Sequence, residues 1–158
     1  MKTHIQVRSV GKAQEPWGKE AINMYATRCS LFGKIELIEV TEGHEGSAKP
    51  NLAKAKQTEA NSLLNKLPKD VYLIVLDEGG KQLDSQEFSS TLEREASTGR
   101  PVVFIIGGSW GLDNEVLKKA DLKLSLGKIT LPHTLARIVL LEQIYRAQMI
   151  SAGREYHK

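Results

Sequence analysis

Two short runs of uninterrupted apolar residues constrain the fold of this chain most strongly. They are 71–76 (VYLIVL) and 102–106 (VVFII). Strands that are apolar throughout, rather than alternating with polar residues, are typical of a parallel sheet that is covered on both faces. Segments with strand and helix character alternate along the chain. This order predicts an α/β fold with a mostly parallel sheet flanked by helices.

The remaining elements follow from periodicity and from turn residues. Further strands are predicted at 5–10, 35–40 and 122–126, and helices at 17–31, 52–67, 85–99, 113–119 and 132–150. Residues 77–80 (DEGG) are predicted to turn the chain after its strand, and 41–50 (TEGHEGSAKP) to form a polar loop. Asp84 or Ser85 is suited to cap the third helix, and Pro132 suits the first turn of the last one.

Length and composition favour one domain over residues 1–158, with a sizeable core. The formal net charge is only +3, from 22 basic and 19 acidic residues, so charge alone does not point to nucleic acid. Cys29 is the single cysteine, which fits a reducing compartment. No apolar run is long enough to cross a bilayer and no metal-ligand spacing is present, so we expect a cytoplasmic protein without metal.

Two glycine turns indicate a ligand that is bound mainly by backbone groups. Gly107 and Gly108 end a buried strand, and Gly127 precedes a short apolar link into the last helix. Ligands of open α/β sheets bind beyond the carboxyl ends of strands, where glycine permits close approach. The spacing matches neither a dinucleotide fingerprint nor a P-loop. Each turn alone could be an ordinary connection, but together they suggest two walls of one small-molecule pocket.

The last helix carries a possible anion-binding pair. His133 and Arg137 are four residues apart and share a helix face, where they could contact phosphate or a developing negative charge. A capping or packing role for His133 and a structural salt bridge for Arg137 are the alternatives. The same helix is apolar on more than one side, which favours a symmetric dimer or else deeper burial within the chain.

The terminal residues GREYHK form the third candidate region. Arg154, Tyr156 and His157 can donate hydrogen bonds, stack on a base or contact phosphate. A frayed terminus is the alternative.

These motifs together resemble the small SPOUT-class methyltransferases, and within them the bacterial enzymes that methylate N3 of a pseudouridine in large-subunit ribosomal RNA. The resemblance rests on MKTHIQVRSVGK, VYLIVLDEGGKQLDS, FIIGGSWGL, LSLGKITLPHTLARIVLLEQIYRA and the terminal YHK, and so spans the whole chain. It implies a trefoil knot over about 71–158, a homodimer formed through that region, and S-adenosylmethionine as cofactor. The implied cofactor-binding residues are Leu76, Gly107, Gly127, Lys128, Ile129, Thr130, Leu131 and Pro132.

The resemblance also suggests how the candidate side chains work. Arg137, His133, Arg154, Tyr156 and His157 are hypothesised to form an RNA-facing surface, with the tail crossing to the partner subunit's pocket. Their cations would stabilise the anion left when N3 loses its proton. The substrate would be ribosomal RNA, as free large-subunit RNA or within the assembled ribosome. The alternatives are a non-catalytic RNA-binding or ribosome-assembly module, and an enzyme for another nucleotide, which the missing phosphate loops disfavour.

Overall fold

A computed structural model describes residues 2–43 and 51–158. Within these ranges the strands are Thr3–Val10 (β1), Gly33–Val40 (β2), Tyr72–Gln82 (β3), Val102–Ile106 (β4) and Leu122–Ser125 (β5). The helices are Pro16–Ser30 (α1), Leu52–Leu64 (α2), Ser85–Ser97 (α3), Asn114–Lys119 (α4) and His133–Ser151 (α5). Most of the predicted loop at 41–50 lies outside the described residues.

The strands form one parallel sheet in the order β2-β1-β4-β3-β5. This confirms the predicted fold class. The short apolar strand β4 lies in the centre, and all five of its residues are buried. Burial of one such side chain stabilises the fold by about 1.5–3 kcal/mol, which explains why an unbroken apolar run marks the middle of the sheet.

Alternate residues of β4 contribute to two separate hydrophobic clusters. Phe104 packs with side chains from α1, α3 and α5, whereas Val103 and Ile105 pack with side chains from α2 and α4. The sheet is therefore a middle layer between three helices and two. Among the described residues, no helix is both long and apolar enough to span a membrane.

The chain after Leu76 differs from its prediction. The expected turn at 77–80 is instead an irregularity within β3, because Leu124 of β5 is in register with both Leu76 and Lys81. The strand pairs again after the bulge and continues to Gln82. Gly80 is required there, since a Cβ atom would lie 2.7 Å from the carbonyl oxygen of Lys123.

Helix α2 is shorter than predicted and ends at Leu64. The helix ends there because Arg8, a buried cation on β1, forms hydrogen bonds with the free carbonyl groups at the helix end. The guanidinium of Arg8 donates to the carbonyl oxygens of Leu63 at 2.9 Å, Asn65 at 2.6 Å and Lys66 at 3.2 Å. Periodicity could not reveal this contact, because its partners lie more than fifty residues apart.

Helix α5 packs against α1 on one side, α3 on the other and the sheet beneath. Leu140, Leu141 and Ile144 are fully buried as a result. Burial within the chain, the alternative allowed by the sequence, thus accounts for much of the apolar surface of this helix. Leu135 remains 38% exposed on its outer side.

Candidate active site

The bulge of β3 and the loops that follow β4 and β5 meet around a cavity of about 840 Å³, which we call the edge cavity. A volume of this size suits a small-molecule ligand, since such sites usually span about 300–1,000 Å³. Its walls combine apolar side chains with exposed glycine backbone. The lining comprises Lys56, Leu76, Asp77, Glu78, Ile106, Gly107, Gly108, Ser109, Gly111, Leu112, Leu117, Leu124, Leu126, Gly127, Ile129, Thr130, Leu131, Pro132, His133 and Ala136.

The structure brings together the two predicted glycine turns as opposite walls of this cavity. Seven of the eight residues expected to contact a cofactor line it, and Lys128 is the one that does not. Their role in binding a cofactor stays a prediction, whereas their convergence is an observation.

Glycine is needed in both walls for different reasons. At Gly107 a Cβ atom would lie 2.9 Å from Cγ of Leu112, so a side chain would push against the loop that closes the wall. Gly127 has φ +129°, which other residues rarely adopt, and open space beside it. The hydroxyl of Ser125 fixes this second turn by donating to the carbonyl of Gly127 at 3.0 Å.

Two carboxylates from the β3 bulge border the cavity. Glu78 is exposed and accepts a hydrogen bond from the hydroxyl of Thr130 at 2.8 Å, which joins the bulge to the second glycine wall. Asp77 is half-buried, and its carboxylate bonds to no other residue that the structure describes. The bulge therefore leaves a negative charge at the cavity that is available to a cationic ligand.

His133 lines the cavity as the first residue of α5. Its Nδ1 atom is buried and lacks a hydrogen-bond partner among the described residues. Because a buried polar atom without a partner destabilises a fold, such atoms often mark a ligand site. This nitrogen can exchange a hydrogen bond with a molecule in the cavity.

Arg137 does not line the edge cavity and is engaged in contacts within the chain. Its side chain is 5% exposed, and Nη1 donates to Glu39 at 2.9 Å. Nη2 donates to the carbonyl oxygens of Val10 at 3.0 Å and Gly11 at 2.6 Å. The alternative of a structural salt bridge describes Arg137 in this chain, because one helical turn beyond His133 the face of α5 points at the end of β1 rather than into the edge cavity.

The terminal residues pack against their own subunit. The ring of Tyr156 lies 5.0 Å from that of Tyr145, and its hydroxyl donates to Glu142 at 3.2 Å. Burial, followed by the charge of Glu142, raises the pKa of Tyr156. The guanidinium of Arg154 lies over the ring of Phe32 at 5.4 Å. The tail is thus ordered by contacts rather than frayed, but neither residue lines the edge cavity of its own chain.

His157 lies beside a neighbouring cavity of about 700 Å³, which shares Leu124, Leu126 and Gly127 with the edge cavity. The guanidinium of Arg146 is 3.2 Å from its Nδ1 atom. Within one chain, His133 alone of the five proposed RNA-facing residues lies at the edge cavity.

Sequence reasoning missed several residues of the cavity. Lys56 reaches it from α2, and Ala136 reaches it from the second turn of α5. Neither has a motif, because both are placed by helix packing. Asp77 and Glu78 belong to the predicted turn at 77–80, and only the bulge shows that they border a cavity. The described residues contain no group of three His, Cys, Asp or Glu that could hold a metal ion.

Comparisons with known proteins agree with this geometry. A family model described as "Predicted SPOUT methyltransferase" matches residues 1–157. The chain is 41% identical to the ribosomal RNA large subunit methyltransferase H of Bacillus thuringiensis (strain Al Hakam) over 158 residues, 98% of this chain and 99% of that protein. The same figures hold for the protein of that name from Bacillus anthracis.

Solved structures with the same arrangement share little sequence. The SpoU methyltransferase AviRb from Streptomyces viridochromogenes, solved in complex with AdoMet, is 17% identical with a TM-score of 0.51 over 96% of this chain. This chain spans 60% of the length of AviRb. A "probable methylase family protein" from Haemophilus influenzae Rd KW20 is 13% identical with a TM-score of 0.57, over 100% of this chain and 72% of that one. These likenesses concern the fold.

Proposed function

Because this chain belongs to the SPOUT methyltransferase family, we propose that it transfers a methyl group from S-adenosylmethionine to N3 of a pseudouridine in large-subunit ribosomal RNA. The relatives' name supports ribosomal RNA of the large subunit as the substrate. The nucleotide and atom rest on the resemblance of the whole chain to the pseudouridine N3-methylating enzymes. Such a reaction belongs to the cytoplasm, on free RNA or on the assembled ribosome.

The edge cavity carries this proposal, because its chemistry fits the cofactor. S-adenosylmethionine has a flat heterocycle, hydroxyl groups and a sulfonium cation. Backbone groups of Gly107 and of the 127–132 loop can bond the heterocycle between apolar walls. The carboxylate of Asp77 matches a positive charge at the rim. When bound, the cofactor supplies an electrophilic methyl group.

The remaining task of the protein is to make N3 of the base a nucleophile. A pyrimidine N3 carries a proton near neutral pH, so this proton must leave before or during attack. Apolar walls such as Leu76 and Leu131 exclude water from the cavity, and the loops align the two reacting molecules. His133 offers Nδ1 for a hydrogen bond at the same cavity. Arg154, Tyr156 and His157 would stabilise the developing anion.

A homodimer reconciles the tail with the cavity. Trp17 and Met24 of α1 and Leu31 at its C-cap are 53%, 42% and 76% exposed and lie seven residues apart, so they form one apolar stripe. Exposed apolar surface of this kind favours a symmetric contact between two copies. Residues 1–158 act as one domain in this proposal, with the knotted cofactor region at about 71–158. The strands β4, β3 and β5 are neighbours in the sheet, which supports the proposal that residues of about 71–158 form one cofactor-binding region.

The first experiment replaces the tail side chains. The double variant Arg154→Ala/Tyr156→Ala should lose methylation of ribosomal RNA while its affinity for S-adenosylmethionine, measured by calorimetry, stays close to that of the unaltered protein. Glu155→Ala in the same tail is the matched control and should remain active. Unchanged turnover in the double variant would contradict the role of the tail.

A mixing experiment tests whether the tail acts on the partner subunit. Thr130→Trp fills the exposed mouth of the edge cavity and should be inactive. Mixed with the tail variant, it should recover about a quarter of full activity, since half of the dimers are mixed and each has one complete site. A mixture that stays inactive would mean that each tail serves its own chain.

Two further measurements address the reaction itself. Mass mapping of ribosomal RNA from a deletion strain should reveal one pseudouridine that lacks its methyl group. A protein that binds no S-adenosylmethionine in calorimetry would instead be a non-catalytic RNA-binding module.

A further inference from the structure

A second cavity, of about 610 Å³, lies between α1 and the carboxyl ends of β1 and β2. We call it the lysine cavity. Its floor is apolar, with Val7, Ile22, Leu37 and Leu141, and its rim is polar, with Lys12, Gln14, Lys19 and Asn23. None of the residues that line the edge cavity lines it, whereas Arg137 does.

The charge of the lysine cavity is positive. Lys12 and Lys19 are exposed and form no ion pair with described residues. The one acid in the lining, Glu39, is already bonded to Arg137 at 2.9 Å and accepts from the backbone N–H of Ala13 at 3.2 Å. The nearby Glu15 does not line the cavity. Two uncompensated cations therefore remain for an anionic ligand.

Arg137 adds a second observation. Its Nε atom is buried and has no hydrogen-bond partner among the described residues, whereas Nη1 and Nη2 both donate hydrogen bonds within the chain. The guanidinium lines the lysine cavity with a side chain that is 5% exposed. The charge of this buried guanidinium in the cavity wall attracts an anion bound there.

The start of α1 increases the positive potential. The helix has fifteen residues and no acidic residue in its first turn, and its N-cap residue, Glu15, does not line the cavity. Its amino end, with Lys19, borders the lysine cavity, so the helix dipole acts in the same direction as the lysines.

The lysine cavity is a neighbour of the edge cavity. Ser9 lines the former and is in register with Ile106, which lines the latter, and adjacent strands are about 4.8 Å apart. Along α5, His133 and Arg137 are one turn apart, which is a rise of about 6 Å. A single RNA strand can therefore reach both cavities at once.

The apolar stripe on α1 does not compete for this cavity. Trp17 and Lys19 are two residues apart and therefore point about 200° away from one another around the helix. A second copy seated on the stripe leaves the lysine side of α1 free. The positive charge also fits a polyanion better than it fits the mildly basic surface of another copy.

We propose that the lysine cavity binds a backbone phosphate of the RNA strand, close to the nucleotide that enters the edge cavity. Lys12 and Lys19 contact the phosphate, and the apolar floor receives the adjoining sugar. This inference rests on RNA being the substrate. It explains how a chain with little net charge holds RNA near the site of methyl transfer.

The test removes the two charges and measures the salt dependence of binding. Lys12→Gln/Lys19→Gln is compared with Lys2→Gln/Lys69→Gln, which makes the same change in net charge at exposed residues before β1 and β3, the opposite edge of the sheet. Affinity for unmethylated ribosomes is measured across a series of salt concentrations. Each lost phosphate contact reduces the magnitude of the slope of log K against log salt by about 0.7–0.9.

We expect the cavity variant to bind several-fold more weakly at low salt, with a slope smaller by about 1 to 2, and to retain its affinity for S-adenosylmethionine. The control variant should keep the slope of the unaltered protein. Equal slopes for the two variants would overturn the proposal, and so would dissociation of the cavity variant into monomers, which would assign the cavity to a second copy. Ribosome binding without methylation by the unaltered protein would count against the proposed reaction and leave the phosphate contact standing.

Discussion

The amino ends and the carboxyl ends of the parallel strands form two opposite edges of the sheet, which we call the amino edge and the carboxyl edge. The two edges differ in how their charged residues are paired. At the amino edge, Glu36 of β2 is paired and lies 2.7 Å from His4 and 3.0 Å from Lys34. At the carboxyl edge, Asp77 and the Nδ1 atom of His133 have no partner among the described residues, although both border a cavity.

This difference separates stability from function. Loops and helix starts converge at the carboxyl ends of parallel strands, so ligands bind there and polar groups are kept available to them. At the amino edge no ligand provides partners, and the protein must satisfy its own groups. Changes at the amino edge should therefore lower stability and spare binding, whereas changes at the carboxyl edge should weaken binding.

Arg137 is an exception to this difference between the two edges. It lies at the carboxyl edge and yet fixes the end of β1 by bonding the carbonyls of Val10 and Gly11. A cation in the helix behind a pocket can thus be structural, and its contacts must be known before it is given a catalytic role.

The largest expected effect lies at the amino edge. Arg100 donates to the carbonyl oxygens of Asp70 and Val71, both at 3.0 Å, and to Glu95 at 3.2 Å, whose side chain is 7% exposed. Arg100→Met should lower the free energy of unfolding in urea by about 2–3 kcal/mol, because it leaves a buried carboxylate and two carbonyls with fewer donors.

The matched control is Arg94→Met, which removes the more exposed partner of the same carboxylate. It should cost less than about 1 kcal/mol. Both variants should bind S-adenosylmethionine normally when folded. Weakened binding by folded Arg100→Met would break the separation of the two edges.

The next effect concerns the free carboxylate at the carboxyl edge. Asp77→Asn should reduce affinity for S-adenosylmethionine about tenfold, because the variant loses attraction to the sulfonium charge. Affinity for S-adenosylhomocysteine, which lacks that charge, should change much less. Calorimetry with both ligands measures the difference. Glu78→Gln is the control, since Glu78 is exposed and already bonded to Thr130. Equal losses for both ligands would refute this role for Asp77.

A pair of glycine substitutions separates the effect of backbone strain from that of contact with the ligand. Gly127 and Gly99 both have positive φ, and at both a Cβ atom would meet no other atom within 4 Å, but only Gly127 lines the edge cavity. Replacing either by alanine should lower the free energy of unfolding by about 1 kcal/mol through backbone strain. We expect Gly127→Ala alone to weaken binding of S-adenosylmethionine. Loss of binding in both variants would mean that strain, and not contact with the ligand, is responsible.

The smallest effect is a pH dependence at the amino edge. Hydrogen bonds from His4 and Lys34 lower the pKa of Glu36 to about 2. A lowered pKa stabilises the folded state above the ordinary value, and this contribution is lost as pH falls toward 2. Glu36→Gln should therefore be less stable than the unaltered protein at pH 6, by under about 1 kcal/mol because the side chain is 35% exposed, and the gap should close in acid. A gap that widens in acid would contradict this assignment.

Much of the fold could be predicted from the sequence because its signals are local. The apolar run at Val102–Ile106 predicted β4 with its observed bounds, and Asp84 forms the expected cap with Glu87. The errors have long-range causes. Arg8 of β1 bonds a carbonyl at the end of α2, which is therefore shorter than predicted. Pairing with β5 converts the predicted turn at 77–80 into a bulge.

The α/β class and the two glycine turns can be predicted from the chain's residues alone, and the family by resemblance, because apolar periodicity and glycine spacing are properties of consecutive residues. The burial of Arg137, the position of Asp77 at the edge cavity and that of Lys12 and Lys19 at a second cavity emerge only from the folded chain. Those facts depend on which distant segments meet, and the pairing of a charge is a property of its neighbours in space.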